Sequence, residues 1–474
     1  MPGAERGSIY IAGRWLPAGE REILDVVNPA TEEVIGGVCA GTARDAGAAV
    51  AAARGAVADW SQTPRAERAD RLDAIADHLA ARAGELAALV TSELGMPVAH
   101  AERSQVLPVL EAFRAAAELA RTAPLEERVG RALVVREPVG VVACITPWNF
   151  PLGQAATKAA YALAAGCTVV LKPSTVAPLA ALALAEAADA AGLPPGTFNL
   201  VTGRGPIVGR ALAAHPDVDM VSFTGSTEVG RTVAGLAAET VKRLVLELGG
   251  KSACVVLEDA DLERAATRCV QSCCFNSGQV CSALTRLLVP RDRLAEAERI
   301  AAEAAADLVV GDPRDPRSDL GPLVSEEQRS RVRAYLRRGR EEGARILVGG
   351  EEPPPGLARG YYVRPTVLSD VRPEATVAQE EIFGPVLVII GYEDEDDAVA
   401  IANGTIYGLA GAVWSGDPRR ARRVAARLRC GEVEVNGARH DRRAPFGGYK
   451  QSGLGRERGR FGFEAYLELK SVFT

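Results

Sequence analysis

The chain has 474 residues, of which 47% are hydrophobic and 24% charged, with a formal net charge of -6 from 55 basic and 61 acidic side chains. That length supports two or three domains with sizeable cores, and the charge balance excludes the basic domain of a nucleic-acid binder. No apolar run approaches the roughly 20 residues that cross a bilayer, and residues 1–6 lack the apolar core of a signal peptide. The nine cysteines are odd in number, irregularly spaced and form no CxxC pair. Neither a disulfide framework nor a metal site is expected from them, and a reducing cytoplasm fits best.

Residues 8–40 alternate polar and apolar positions and read as short strands, with Asn28-Pro29 marking a turn. From 43 to 121 the chain is rich in Ala, Leu, Arg and Glu at helical spacing. Leu72, Ile75, Ala76, Leu79 and Ala83 trace one face, and the breaks at Pro64 and at Gly95-Met96-Pro97 predict three helices. Residues 124–138 turn charged and then β-rich before ending at Pro138, an excursion from the main body.

Between 139 and 248 strands and helices alternate. Strands are predicted at 139–145, 168–172, 197–201, 220–223 and 243–247, with helices at 154–165, 178–191, 207–214 and 227–238. Apolar strands in βαβ units imply a parallel sheet covered on both faces, and such sheets bind ligands at the carboxyl ends of their strands. Polar and turn-forming residues fall at four of those ends: Thr146-Pro147-Trp148-Asn149, Lys172-Pro173-Ser174-Thr175, Phe223-Thr224-Gly225-Ser226 and Glu247. The dinucleotide fingerprint GxGxxG is absent; Gly203-Arg204-Gly205 approaches it, but Gly209 comes one position late. Gly225 to Gly230 follows a strand and opens a helix. Its N–H groups could face a phosphate, and Ser226 as a plain N-cap explains the same residues.

Glu247 is the single carboxylate in the strand-like run 244–248, followed by Gly249-Gly250-Lys251. Such a place is costly for an unpaired charge. The residue is either bound to Lys251 or a loop, or a general base whose affinity for a proton is raised by apolar neighbours. Residues 275–283 set Cys281 among small and polar residues, with Ser277, Gly278 and Ser282 leaving room around it. Buried, inert cysteine is the commoner case. Cysteine with a carboxylate and no obvious histidine points instead to covalent chemistry with a water-activating Glu. Cys273-Cys274 read as packing residues on a helix.

Residues 250–430 form a second α/β region. Within it Glu380-Glu381 alone reads as a solvated turn, and 351–360 as a surface loop. The last segment offers a strand at 432–436, a loop at 437–445, and a run at 466–472 that alternates like an edge strand and invites pairing with another chain.

The stretches around Glu247 and Cys281, with the ordered landmarks between residues 27 and 472, resemble the signature motifs of the aldehyde dehydrogenase superfamily, of the NAD(P)-dependent, non-phosphorylating, hydrolytic kind. The resemblance implies an α/β fold: a Rossmann-type parallel-sheet cofactor domain (1–123 and 139–249), an α/β catalytic domain (250–450) and a small β extension for oligomerisation (124–138 and 451–474). It implies that Cys281 is the nucleophile, Glu247 the base and Asn149 an oxyanion donor. The cofactor would meet Ile145, Thr146, Pro147 and Trp148 after one strand, Lys172, Ser174 and Thr175 after the next, and Gly205. Phe223, Gly225, Ser226, Leu248 and Gly249 would complete that side, with Glu381 and Phe383 at the nicotinamide ribose and ring. The aldehyde would enter between Phe150, Gln154, Thr157, Val280, Ser282, Arg442 and Phe446, where the small residues Gly153, Gln154 and Thr157 imply room for bulky or aromatic substrates. Self-association as a homodimer or homotetramer is expected, with neither nucleic acid nor membrane as partner.

Two places stand apart from the family pattern. NAD-preferring members carry Glu where this chain has Thr175, which removes repulsion of a 2′-phosphate and leaves NAD and NADP both open. The loop Arg439-His440-Asp441-Arg442-Arg443 is polar where the wall is often apolar. It is a solvated loop, or Arg442 or Arg443 meets a substrate carboxylate or phosphate. A binding protein with retired chemistry and a cofactor-free thiol esterase are the other classes. The intact Cys281, Glu247, Asn149 and Lys172 speak against the first, and the Gly225-Ser226 and Glu381-Ile382-Phe383 segments against the second.

Overall fold

The structure is a computed structural model that describes residues 7–473; residues 1–6, on which the leader reading rests, and Thr474 lie outside the described residues. The chain opens with β1 (Ile9–Ile11), β2 (Arg14–Leu16), β3 (Ile23–Asn28) and β4 (Glu33–Cys39). Helices α1 (Ala43–Gln62), α2 (Arg65–Ala80) and α3 (Ala83–Leu94) follow. Then α4 (Val98–Ala101), a π-turn at Glu102–Val106 and α5 (Leu107–Thr122) run on as one rod. The helical region therefore holds four long pieces where three were predicted. The extra break at Ala81-Arg82 carries neither Gly nor Pro; Arg82 is tied instead to Glu85 and, across the fold, to Glu186 at 2.6 Å. Leu72, Ile75, Ala76 and Leu79 are buried on α2, whereas Ala83 starts the next helix.

After β5 (Glu126–Val129) and β6 (Ala132–Pro138) come β7 (Val141–Ile145), α6 (Pro151–Ala165), β8 (Thr168–Lys172), α7 (Leu179–Ala190) and β9 (Phe198–Leu200). Next are α8 (Arg210–Ala214), β10 (Met220–Thr224), α9 (Thr227–Ala238) and β11 (Arg243–Glu247). The second region supplies β12 (Ser252–Val256), α10 (Leu262–Cys274), β13 (Leu284–Pro290), β14 (Arg345–Val348), β15 (Thr366–Ser369) and β16 (Val386–Tyr392). It continues with β17 (Ala410–Trp414) and β18 (Glu432–Val435), and the chain closes with β19 (Gly453–Leu454) and β20 (Leu467–Phe473).

Two large sheets result. The first has the order β19-β11-β10-β7-β8-β9-β1-β2, parallel from β11 to β9. The second is β14-β15-β16-β13-β12-β17-β18, parallel except at β14. Strands β7, β8, β10, β12 and β17 are buried along their whole length, as parallel strands covered by helices on both faces must be. Strand β20 joins β6 and β5 in a small antiparallel sheet.

The tail departs from the expected division. Residues 451–458, expected with the outer extension, turn inward: Gly453 and Leu454 pair with Glu247 and Leu246 at the edge of the first sheet. Only 467–473 reaches the outer sheet. The pairing puts the end of the chain beside the carboxyl end of β11, which is where Glu247 sits.

Candidate active site

Helix α10 ends at Cys274, and Asn276 and Ser277 adopt the left-handed region at φ +50° and +54°. This sharp turn aims the following loop at a cavity of about 630 Å³ between the two large sheets and the tail. Cys281 lies on its wall, half-buried, while Cys273 and Cys274 are buried on α10. Gly278 does something other than leave room at the thiol. At φ +75° its backbone packs so closely on Gly384 and Pro385 that any Cβ would collide with them. Ser277 is likewise spent on structure, donating its hydroxyl to the Gly321 carbonyl at 2.8 Å.

Asn149 is buried in the turn after β7 and is held from three sides. Its carbonyl accepts from Gln105 Nε2 at 3.2 Å and Asn276 Nδ2 at 3.1 Å, and its own Nδ2 donates to the Gln279 carbonyl at 3.0 Å. One of its two amide N–H groups is thus anchored to the Cys281 loop, leaving the second to donate elsewhere.

Glu247 is 2% exposed and neither carboxylate oxygen has a hydrogen-bond partner. It stands behind the cavity wall, and Gly447, at φ +149°, brings its backbone against the carboxylate where a side chain would clash. Burial, and then the charge of Glu457, push the Glu247 pKa well above the ordinary carboxylate range; Lys158, Arg456 and Arg458 oppose them. Lys251 is no partner for it. Its ammonium is also buried and unpaired, and burial with the nearby Arg286 drives it down to about 7. The Cys281 thiol is pushed up to about 12 by burial, by Glu381 and by Glu247, against the pull of Arg458 and the Ser282 N–H. The Cys281 thiol is therefore protonated at neutral pH in this state, and a positive charge brought close would favour its thiolate.

Gln154, Phe150, Thr157, Val280, Ser282 and Phe446 share the cavity wall with Cys281, and so does Arg442. Arg443 does not; it is exposed and turned onto Asp441 at 2.6 Å. Residues that the sequence reading passed over also stand here. Glu457 is ion-paired with the fully buried Lys158 of α6, which also reaches Ser222 Oγ at 3.2 Å. Arg458 lies over the Phe446 ring at 4.2 Å. His440 meets Glu434 at 2.6 Å and Glu432 at 3.6 Å, and these two carboxylates lift it to about 9. The run Gly455-Arg456-Glu457-Arg458 was a visible cluster of charge in the sequence, but nothing local there distinguished it from a solvated face.

On the other side of the first sheet, the carboxyl ends of β7, β8, β10 and β11 carry the residues expected at a nicotinamide dinucleotide. Thr146 and Thr224 have buried hydroxyls with no partner, a donor set that suits a polar ligand laid across the strand ends. Lys172 is 3% exposed, its ammonium donates only to the neighbouring Pro173 carbonyl at 2.8 Å, and burial lowers it to about 8. Ser174 and Thr175 follow at half-exposed positions, where the Ser174 hydroxyl accepts from the Val176 N–H. Ser226 caps α9 by accepting the Val229 N–H at 3.3 Å, after Phe223 and Gly225 on β10 and its turn. Ile145 faces Phe223 across the β7–β10 pair and Lys172 across β7–β8. Pro147 and Trp148 continue that turn, with the Trp148 ring edge-on to Phe383 at 5.3 Å. The Leu248 N–H is held by the Ser452 carbonyl at 2.8 Å, and Ser452 Oγ donates to the Gly249 carbonyl at 2.6 Å. Glu381 accepts the Gly250 N–H at 3.1 Å and is lifted by burial to about 7; it is half-buried and bonded rather than part of a solvated turn. Gly205 starts a turn with open space at its Cα, on the α8 side of Lys172. These residues fit such a cofactor in both polarity and burial.

The sequence model of the Aldehyde dehydrogenase family matches residues 15–472. The chain is 49% identical over 465 residues to 3-succinoylsemialdehyde-pyridine dehydrogenase of Pseudomonas sp, covering 98% of this chain and 97% of that one. Its fold superposes at a TM-score of 0.97 on a cysteine-to-alanine mutant of aldehyde dehydrogenase C from Pseudomonas syringae, complexed with NAD+ and octanal. That protein is 47% identical, with 100% of this chain and 99% of the other covered. The TM-score is 0.96 against betaine aldehyde dehydrogenase from Staphylococcus aureus in complex with NAD+, at 38% identity over 99% and 94% of the two chains. The chain belongs to the aldehyde dehydrogenase family. It is an NAD(P)-dependent oxidoreductase that converts aldehydes to acids.

Proposed function

We propose that Cys281, Glu247 and Asn149 carry the reaction in named roles. The Cys281 thiolate adds to the carbonyl carbon of the aldehyde, and the oxygen gathers negative charge. The free Asn149 amide N–H and the Cys281 main-chain N–H stabilise that oxygen, each such donor contributing about 3–4 kcal/mol in the transition state. The nicotinamide cofactor, when bound, supplies the hydride acceptor that turns the hemithioacetal on Cys281 into a thioester. Glu247 then takes a proton from water, which attacks the acyl carbon, releases the acid and returns the thiol. A carboxylate with a raised pKa suits that step, because it is a stronger base than a solvated one.

The observation that carries this reading is the placement of a half-buried thiol on a cavity wall, with a buried, unpartnered carboxylate whose charge acts on it. Lys172, Ser174 and Thr175 would hold the adenosine ribose, Gly225 and Ser226 the diphosphate, and Glu381 and Phe383 the nicotinamide side. With Thr175 in place of an acidic residue, NADP is accepted alongside NAD. The first sheet and its helices serve as the cofactor domain and the second as the catalytic domain. The exposed β20, with Leu469 and Phe473 open to solvent, supports pairing with a second copy. A cytoplasmic setting is supported by nine free cysteines; no helix among the described residues is long and apolar enough to cross a membrane. Initial rates of reduced-nicotinamide formation, with an aldehyde panel and NAD and NADP in parallel, test the reading. Turnover that Cys281→Ala abolishes supports it, and turnover that survives the substitution sinks it.

A further inference from the structure

Arg458 is held at φ +67° and ψ 154°, a backbone region that is essentially glycine's own. A side chain kept at such a position has something to do. Its guanidinium lies over the Phe446 ring on the cavity wall, and among the described residues it makes no ion pair. Arg442 faces the same cavity. Its one carboxylate contact is Glu111 on α5, at 3.4 Å, and Arg458 is close enough to repel it.

The other charges of the wall, Asp319 apart, are matched. His440 is closed by Glu432 and Glu434, and Arg268 stands 3.7 Å from Glu434. Glu457 is neutralised by Lys158, whereas Asp319 accepts the Val309 N–H at 2.9 Å and has no ion-pair partner among the described residues. Arg458 is thus left without a carboxylate partner among the described residues, beside an aromatic wall made by Phe150 and Phe446. A ligand with an apolar body and a carboxylate fits that arrangement, because a guanidinium pair suits the two oxygens of a carboxylate.

We propose that the substrates of this enzyme are aldehydes bearing a carboxylate remote from the carbonyl, gripped at the tunnel by Arg458 with Arg442. The proposal rests on the aldehyde-oxidising reading of the same site and narrows its substrate class.

The test compares para-carboxybenzaldehyde with its methyl ester, which shares the ring and carries the more electrophilic carbonyl, with octanal as a neutral control. The acid is expected to exceed the ester in kcat/KM by about 10- to 100-fold, the worth of a charged hydrogen bond or two. In Arg458→Gln that ratio collapses towards one, chiefly through KM of the acid. Arg442→Gln lowers it part of the way, and Arg458→Lys, which keeps the charge on a similar backbone, retains part of the preference. An acid-to-ester ratio of one or less in the native enzyme overturns the proposal, as does a ratio that neither glutamine variant moves. Absence of turnover with all three aldehydes brings down the oxidation reading itself, whereas turnover of octanal or the ester without an advantage for the acid brings down only this inference.

Discussion

The side-chain amide of Asn149 donates to the main-chain carbonyl of Gln279 at 3.0 Å, tying the turn after β7 to the loop that carries Cys281. The proposed oxyanion donor and the loop of the proposed nucleophile are therefore joined by one bond, and Gln105 and Asn276 clamp the same turn. Asn149→Ala removes the donor and the tie together. It is expected to lower kcat by about 10²–10³-fold, the range for loss of one oxyanion donor, with loss of the tie pushing it to the upper end. Stopped-flow measurement of the first turnover separates this from slow acyl hydrolysis: the burst itself slows. An unchanged burst rate would remove Asn149 from the oxyanion site.

Glu247→Gln keeps the volume and loses the base. The first turnover should proceed and the thioester then persist, giving a burst of one reduced nicotinamide per subunit followed by steady-state turnover slower by about 10²–10⁴-fold. Rapid-quench kinetics and intact-mass detection of the acyl enzyme check it. Steady-state rates close to native would assign the water-activating role elsewhere.

The pH profile follows from the two raised groups. Burial holds Cys281 near 12 and Glu247 well above 4.5 in this state, so both active forms lie on the alkaline side. The rate constant kcat/KM should rise with pH across the neutral and mildly alkaline range. Arg458→Gln removes one of the positive influences on both groups and should move the profile to higher pH. A flat profile between pH 6 and about 9 would contradict the burial argument.

Thr175→Glu restores an acidic residue three positions after Lys172. Repulsion of a 2′-phosphate beside a carboxylate should reduce kcat/KM for NADP by about 10-fold or more, with a smaller effect on NAD. Equal losses for the two cofactors would show that position 175 does not face the adenosine ribose.

Glu93 gives a stability test away from the site. Fully buried, it accepts the N–H groups of Leu179 and Ala180 at 2.6 and 2.9 Å at the start of α7, and burial lifts its pKa from 4.5 to about 7. The folded protein thus holds this proton more tightly than the unfolded chain. Its contribution to stability is fully present below about pH 4.5 and is lost as pH rises to about 7, at a slope of up to about 1.4 kcal/mol per unit. Glu93→Gln should remove that component from chemical-denaturation curves taken across the window; an unaltered pH dependence would rule it out.

Much of this molecule was legible in the chain. The βαβ alternation from 139 to 248 placed five strands to within two residues, because strands buried on both faces are continuous apolar runs ended by turn residues. Glu247 stood out for the same reason, as the one charge in such a run. The break between α2 and α3 was invisible, since it rests on ion pairs of Arg82 with residues near and far rather than on a helix-breaking residue. The inward turn of 451–458 was invisible too. Gly453-Leu454 is too short to show a strand pattern, and its partner lies about two hundred residues earlier. Glu457 and Arg458 read as surface charge because the groups that define them, Lys158 and Phe446, come from other parts of the chain.

That inward turn also orders events during synthesis. The first sheet is assembled from strands made early, yet its β11 edge is covered only by residues 453–454, and Glu247 meets the Gly447 backbone only when that same stretch arrives. A nascent chain that has emerged through β18 holds both large sheets in outline while Glu247, the proposed base, still lies at an open edge. The protein can collapse during translation, but it becomes an enzyme only after its last few dozen residues have left the ribosome.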